Sequence, residues 1–453
     1  MSVPTRFDPD SFRTFRIVGR DFDPTTRTIT LRYGLDDRVT FAETITFETL
    51  PTGVLEPTGP GFERALLHLH VAAGTSYYKT AAPPEVVVEG ESLSQGELDL
   101  HHHLYDEGLR EFAVTNGLAV PRPVTVVPGR GVAGHVVPPH GALAPGLLVP
   151  IGGGKDSMVL IDAVRHLRPR LFAVNPHPLV LRLAAEAGLD LLVVRRRLDP
   201  ELAALHAAGA RNGHVPITAI VSLIAVVGAF VHGYDTVAMA VERSASEETM
   251  TIDGVPVNHQ YSKSREFEEL LADLIRSSIA PELTYGSALR PYSELAISRA
   301  FARLTDYHPT FCSCNHAFRQ EAGAGDRWCG DCPKCRFVAL MLAPFLGRAG
   351  VAAILGRDLF ADPGQVPGFA ALMSDVDKPF ECVGERRESA AALHLLAGMG
   401  EWADAPVVAA LGPTAGALLT DGDVAELLAP RADLAFPDPV VAAAVDRQIR
   451  GDR

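Results

Sequence analysis

The sequence predicts an α/β protein in which a parallel, doubly wound domain follows a β-rich N-terminal part and precedes a mainly helical C-terminal cap. Three observations carry this. Between positions 147 and 167 an apolar run, three consecutive glycines and an apolar series at helical spacing follow one another. Downstream, short apolar runs alternate with helical segments, the pattern of a parallel sheet covered on both faces. Upstream, residues 28–33 and 39–47 alternate apolar and polar side chains, as half-buried strands do.

The chain has 453 residues, 47% of them hydrophobic, enough for a sizeable core and about three domains on the usual length prior. The expected division is a β-rich domain over 1–140, a nucleotide-binding domain with a cysteine cluster over 141–345, and a helical region over 346–453. The first break lies in the proline- and glycine-rich residues 121–145. A formal net charge of −14, with acidic and basic residues interleaved, argues against a nucleic-acid or membrane-surface partner. No stretch is both long and apolar enough for membrane insertion. Residues 217–231 come nearest and read as a buried helix. The first residues, MSVPTRFDPDSFRTF, lack an apolar signal core, so a cytoplasmic protein is expected.

Taken in order, residues 28–33 and 39–47 form an antiparallel pair and 62–73 a helix. Ser76, Tyr77, Tyr78 and Lys79 then either touch a ligand or pack beneath the next element. His101, His102 and His103 are consecutive, so they do not converge on one metal and read as a solvated face. Residues 171–174 form a strand ending at Asn175, 179–187 a helix and 191–194 a strand. A strand over 236–241 delivers Glu242, Arg243, Ser244 and Ser246 to the same carboxyl edge, where parallel sheets bind ligands. The polar residues 257–267, with His259 and Lys263, are either part of a site or a solvated loop. Helices are expected over 338–346, 390–399 and 407–419, and residues 446–453 are expected to fray.

The glycine run reads Gly152, Gly153, Gly154, Lys155, Asp156, Ser157. A strand, a glycine loop and a helix start make an anion site, because backbone N–H groups and the helix dipole converge there. A Walker loop would need glycine at Val149 and a hydroxyl residue at Asp156, and a dinucleotide fingerprint would need glycine at Ser157. The S-G-G-x-D-S loop of the ATP pyrophosphatases (the PP-loop) fits at Gly153, Gly154, Asp156 and Ser157, with Gly152 in the first serine position. A carboxylate within a phosphate cradle requires a cation, which implies Mg²⁺ beside ATP. Lys155 and Asp156 are the candidate catalytic residues here. Gly152, Gly153, Gly154, Ser157, Asn175, Glu242, Arg243 and Ser244 are candidate nucleotide contacts. A glycine-rich turn without ligand is the alternative.

Five of the six cysteines fall between Cys312 and Cys335. Cys329, Cys332 and Cys335 form C-x-x-C-x-x-C, and Cys312 or Cys314 can supply a fourth thiolate; the preferred set takes Cys314. Four thiolates suit a structural Zn²⁺, with an iron–sulfur cluster as the alternative. Cys382 stands apart, either packed as a small hydrophobe or available as a thiolate.

Together, GGGKDS, TVAMAVERSAS, VNHQYSKSREFE, RWCGDCPKCRF and KPFECVG, in this order, resemble the UDP-N-acetyl-α-D-muramoyl-L-alanyl-L-glutamate epimerase family. The resemblance begins at FRIV and LLHLHVAAGTSYYK and runs to about Gly384, with Val241 where the family has an asparagine. It implies an ATP-dependent inversion of the terminal L-glutamate of UDP-MurNAc-L-Ala-L-Glu through an acyl adenylate, releasing AMP and diphosphate for peptidoglycan synthesis. Cys382, His259 and Lys263 are then the candidate acid–base groups. A glycine loop with a cysteine cluster also resembles the shorter 7-cyano-7-deazaguanine synthases, and a non-catalytic ATP sensor is the third possibility. The sequence leaves oligomeric state open.

Overall fold

The structure, a computed structural model, describes residues 6–48, 59–132, 143–317, 327–374, 378–381 and 383–452. Its strands are β1 (Thr14–Asp23), β2 (Thr28–Leu35), β3 (Val39–Phe47), β4 (Glu85–Val88), β5 (Thr125–Pro128), β6 (Ala144–Pro150), β7 (Arg170–Val174), β8 (Leu191–Arg197), β9 (Tyr234–Met239), β10 (Met250–Ile252), β11 (Val255–Val257) and β12 (Thr284–Ser287). Ten of them form one sheet in the order β12-β9-β6-β7-β8-β3-β2-β1-β4-β5, while β10 and β11 pair separately.

The segment β12-β9-β6-β7-β8 is parallel throughout. Its strands are short and apolar, with Leu148, Val149, Leu171 and Val237 fully buried, because helices cover both faces. One face carries Lys155–Val164, Pro178–Ala187 and the C-terminal helices; the other carries Pro60–Ala73 and Ile217–His232. From β6 the chain runs outward through β7 and β8, then returns to β9 and β12 on the opposite side of β6. The order therefore reverses between β6 and β9, where open parallel sheets form a ligand crevice at the carboxyl ends of their strands.

The N-terminal meander joins this sheet through antiparallel pairing of β3 with β8, from Thr44 opposite Arg197 to Phe47 opposite Val194. The expected break near residue 141 thus falls inside one continuous sheet, and the one near 345 falls inside the helix Pro333–Leu355. A buried ion pair marks the seam. Arg196 donates to Glu43 at 2.6 Å and to Ser76 Oγ at 2.9 Å, and the Asp199 N–H donates to the Tyr77 hydroxyl at 3.0 Å. Ser76, Tyr77 and Tyr78 are buried packing residues, with the Tyr77 ring stacked 4.8 Å from Tyr33. Lys79 donates to Asn212 at 2.7 Å.

Two expectations are corrected. His101 does not lie on a solvated face: it is fully buried, 2.9 Å from His68, whose other ring nitrogen lies 3.1 Å from Glu97. Successive helix residues point about 100° apart, so His101 turns inward while His102 is exposed. Residues 446–450 do not fray. They complete the helix Pro439–Arg450, which Asp438 caps by accepting from Val440 N at 2.7 Å and which packs on Lys155–Val164.

Pro333–Leu355 is long and apolar enough to cross a membrane by length and composition. It is broken at Gly347 (φ 68°, ψ 174°), and Phe337, Val338, Leu340, Met341 and Leu342 fill the core, which accounts for its apolarity.

Candidate active site

At the end of β6 the chain turns through Gly152–Gly154 into the helix Lys155–Val164. Gly153 has φ 87°, a left-handed conformation that favours glycine. At Gly154 a Cβ would lie 3.0 Å from Ser313 Oγ, so the tight approach of the cysteine loop selects glycine there too. The Cys312 N–H donates to the Gly153 carbonyl at 3.1 Å and locks the two loops together. Ser157 Oγ donates back to the Gly154 carbonyl at 3.0 Å.

The loop opens into a cleft of about 360 Å³ at the switch point. Gly152, Gly154, Asp156 and Ser157 line it together with Val241, Lys263, Ser313 and Lys334. Lys155 turns away from the cleft into the protein, 2% exposed, where it is paired with Glu294 and lies 2.5 Å from Asp156. Burial opposes the Lys155 charge, but the two carboxylates outweigh it and hold the ammonium protonated. Asp156 is likewise disfavoured by burial, yet Lys155 and then Lys334 bring it below its usual value. Glu294 goes the other way, pushed up to about 7 by burial and by the negative Asp156. Behind it, Glu388 accepts from the Glu294 N–H at 2.9 Å and from Ser244 Oγ at 2.7 Å. Burial and then Glu385 raise the Glu388 carboxyl well above the ordinary range.

Oxygens of Asp156, Glu242 and Glu294 lie within 4.8 Å of one another. Two of these carboxylates pair with Lys155 and the third, Glu242, lies beside them, which leaves an excess of negative charge next to a cleft that Asp156 lines. Hard oxygen donors so placed suit a divalent cation such as Mg²⁺.

The remaining residues singled out in the sequence divide. Lys263 reaches the cleft, donating to Gln260 at 3.1 Å. Asn175 stands at the end of β7 with φ 45°, but its side chain clamps β8, donating to the Arg196 carbonyl at 2.8 Å and accepting from the Arg196 N–H at 3.0 Å. Arg243 lines a different cavity. His259 pairs with Glu111, its ring 4.6 Å from that of His214, outside the cleft lining. Cys382 lies outside the described residues. Sequence reading missed Glu294, Glu388 and Lys334. The first two belong to helices far along the chain; Lys334, set between two cluster cysteines, carried a readable signal.

Sulfurs of Cys314, Cys329, Cys332 and Cys335 converge: Cys314 to Cys332 at 4.0 Å, Cys329 to Cys335 at 3.7 Å, and Cys332 to Cys335 at 3.5 Å. Zinc–sulfur bonds of about 2.3 Å in tetrahedral array put sulfurs roughly 3.8 Å apart, so the set fits zinc. Backbone N–H groups of Asp331, Cys332 and Cys335 point at sulfurs from 3.3 to 3.4 Å, as thiolates require. Cys312 stays outside the set and donates to the Arg327 carbonyl at 2.8 Å.

The fold and this cleft define a mixed α/β protein with a glycine loop and an acidic trio at the switch point of its parallel sheet. Comparison with known proteins narrows the class. Residues 6–288 match the MurL N-terminal domain and residues 310–424 the MurL C-terminal domain. The UDP-N-acetyl-alpha-D-muramoyl-L-alanyl-L-glutamate epimerase of Salinispora tropica is 44% identical over 405 residues, 88% of each chain. Proteins of the same name from a Micromonospora species (44% over 83% of this chain and 85% of that one) and from Xanthomonas oryzae pv. oryzae (39% over 89% and 90%) match as broadly. This chain belongs to that epimerase family, as its motifs imply. No solved structure matches it significantly.

Proposed function

We propose that this chain inverts the terminal L-glutamate of UDP-MurNAc-L-Ala-L-Glu to D-glutamate, using ATP and releasing AMP and diphosphate. The observation that carries the reading is the acidic trio Asp156, Glu242 and Glu294 at the foot of a glycine-loop cleft, in a chain of this family. The glycine loop is read as a PP-loop: its N–H groups and the helix start hold the polyphosphate, and Lys263 and Lys334 share the cleft lining with it. Asp156, Glu242 and Glu294 would hold Mg²⁺, which supplies positive charge against the transferring phosphate.

The chemistry explains the need for ATP. The Cα–H beside a carboxylate is hardly acidic, because its removal accumulates negative charge. A carboxylate oxygen of the glutamate attacks the α-phosphorus, the bond to the β-phosphate breaks, and diphosphate leaves. The acyl adenylate no longer carries the carboxylate charge, so a base can take the α-proton to give an enolate. A proton delivered to the opposite face sets the D-configuration, and water cleaves the adenylate to free carboxylate and AMP. Lys263, in the cleft lining, and His259, oriented by Glu111, are the described candidates for the two proton transfers. Cys382 is the third candidate. Cys314, Cys329, Cys332 and Cys335 would hold one structural zinc with no open position. A UDP-linked substrate supports the reading of a cytoplasmic enzyme. Neither the ligase nor the sensor alternative has an observation in its favour.

The test is turnover in D₂O. D-Glutamate should carry deuterium at Cα, and exchange should require ATP. Product without label at Cα overturns the enolate route. Metal analysis should return one zinc per chain, and a fully active, metal-free chain removes the zinc assignment.

A further inference from the structure

A second cavity, of about 320 Å³, is linked to the acidic trio through Arg290, which lines it and donates to the Glu242 carbonyl. Five arginines line it: Arg243, Arg265, Arg290, Arg387 and Arg431. Glu385 and Glu426 are the carboxylates in the lining, so five guanidinium groups there face two carboxylates. Glu426 pairs with Arg387, while Glu268, Asp423 and Asp433, which pair with Arg290, Arg387 and Arg431, are not part of the lining. Guanidinium groups offer five donors each, and those here use part of that capacity. Arg387 gives Nη2 to Asp423 and Glu426, and Arg243 gives Nη2 to the Leu427 carbonyl at 3.3 Å.

Arg290 joins the two cavities. It is 3% exposed, donating Nη1 to the Glu242 carbonyl at 2.8 Å and Nη2 to the Lys263 carbonyl at 2.8 Å. Glu242 belongs to the acidic trio and Lys263 to the cleft lining, so one guanidinium ties the arginine cavity to both. Across Arg431 the cavity adjoins a groove of about 310 Å³ with Tyr292 and Phe436 in its walls.

We infer that the arginine cavity binds the diphosphate of a nucleotide-linked substrate, separately from ATP. This rests on the proposed reaction for the identity of the substrate. Fork-shaped guanidinium groups are the side chains best matched to phosphate oxygens, and several around one pocket suit a diphosphate better than a single carboxylate. The arrangement gives two polyanions separate cavities, each with its own cations, so that the substrate carboxylate and the α-phosphate of ATP can meet without the two phosphate chains sharing one pocket. The aromatic groove gives the attached base a surface to stack on.

The probe is UDP, measured by calorimetry on the whole protein without turnover. UDP should bind in the presence of saturating ATP. Arg387→Gln, at a partly exposed position that a folded chain tolerates, should weaken UDP at least about tenfold, the size of one lost charge-assisted contact, and leave ATP binding unchanged. Glu426→Gln should tighten UDP, because it removes a competitor for Arg387; a purely structural ion pair would not give that sign. UDP displaced by ATP, or UDP binding unaltered in both variants, overturns the inference. If UDP binds as expected but no D-glutamate forms, the reaction fails and the diphosphate site stands. If D-glutamate forms and both variants match the parent, the reverse holds.

Discussion

The molecule buries charge in two places, and they are built on opposite principles. In the N-terminal half, Glu97 sits 1% exposed among Arg64, His68 and the capping residue Ser94. Burial disfavours its charge, but His68, Arg64 and the Ser94 N–H overcome this and hold the carboxyl far below its ordinary value. His68 and His101 are held neutral by burial. That cluster is closed and its charges match, with His101 Nδ1 as the buried ring nitrogen left without a partner. In the other half, Asp156 and Glu294 pair with Lys155 beside Glu242, and Glu294 is pushed up to about 7. This cluster opens to a cleft at Asp156 and its charges do not match. A charge-matched buried network specifies a fold, whereas an unmatched one at a cavity is a receptor for what would match it.

Four experiments sharpen or break this contrast. The largest effect is expected at the sealed cluster. Glu97→Ala leaves Arg64 without its carboxylate, and such a break costs about 3–5 kcal/mol. Denaturant unfolding should show that loss while the folded fraction keeps its turnover; unaltered stability would erase the distinction. Next, Asp156→Asn should lower AMP formation by roughly a hundredfold, the scale of a lost electrostatic group at a transferring phosphate. Its melting temperature should fall, because the folded surroundings favour the Asp156 charge and the buried Lys155 loses one of its two partners. Near-normal AMP formation would remove Asp156 from the site. Ser157→Ala should cost about tenfold in turnover, the worth of one hydrogen bond, with unfolding unchanged.

The smallest effect is the pH dependence of stability in chelator-treated protein, and its sign differs between clusters. The Glu294 carboxyl is raised from 4.5 to about 7 in the folded state, so folding takes up a proton there. Stability relative to Glu294→Gln should therefore fall as pH climbs from 4.5 to about 7 and then level off. Glu97 is depressed below 4.5, so its contribution is complete above that pH and is lost as pH falls further. Parallel profiles for the two glutamates would show that their surroundings are equivalent.

Much of the parallel half was legible. Strands β6 to β9, the loop at Gly152–Gly154 and the helices Lys155–Val164 and Pro178–Ala187 lie where apolar spacing and glycines put them. The cysteine set was readable too, because three of its members are three residues apart. Glu294 and Glu388 were not. Glu294 begins to matter only when its helix docks on Lys155–Val164, and Glu388 only when its own helix docks on that of Glu294, and no local period encodes either. His101 was misread because neighbours in sequence were taken as neighbours in exposure, although a helix sends them in different directions. The terminal helix was legible and overlooked: Asp438 before Pro439 is a cap followed by proline at the first helical position. The meander's union with β8 had no signal in either strand, since pairing partners across roughly 150 residues leave no mark on one another.

The packing of Pro439–Arg450 on Lys155–Val164 has a consequence in time. Roughly 275 residues separate the two helices, and a ribosome making about 5–20 residues per second needs roughly 15–55 s to span them. For that interval the helix that follows the glycine loop lacks part of its apolar cover, gaining first the helix Glu294–Phe301 and later Pro439–Arg450. The Cys312 amide that locks Gly153 is itself made only part-way through, so the loop is made long before the packing that fixes it.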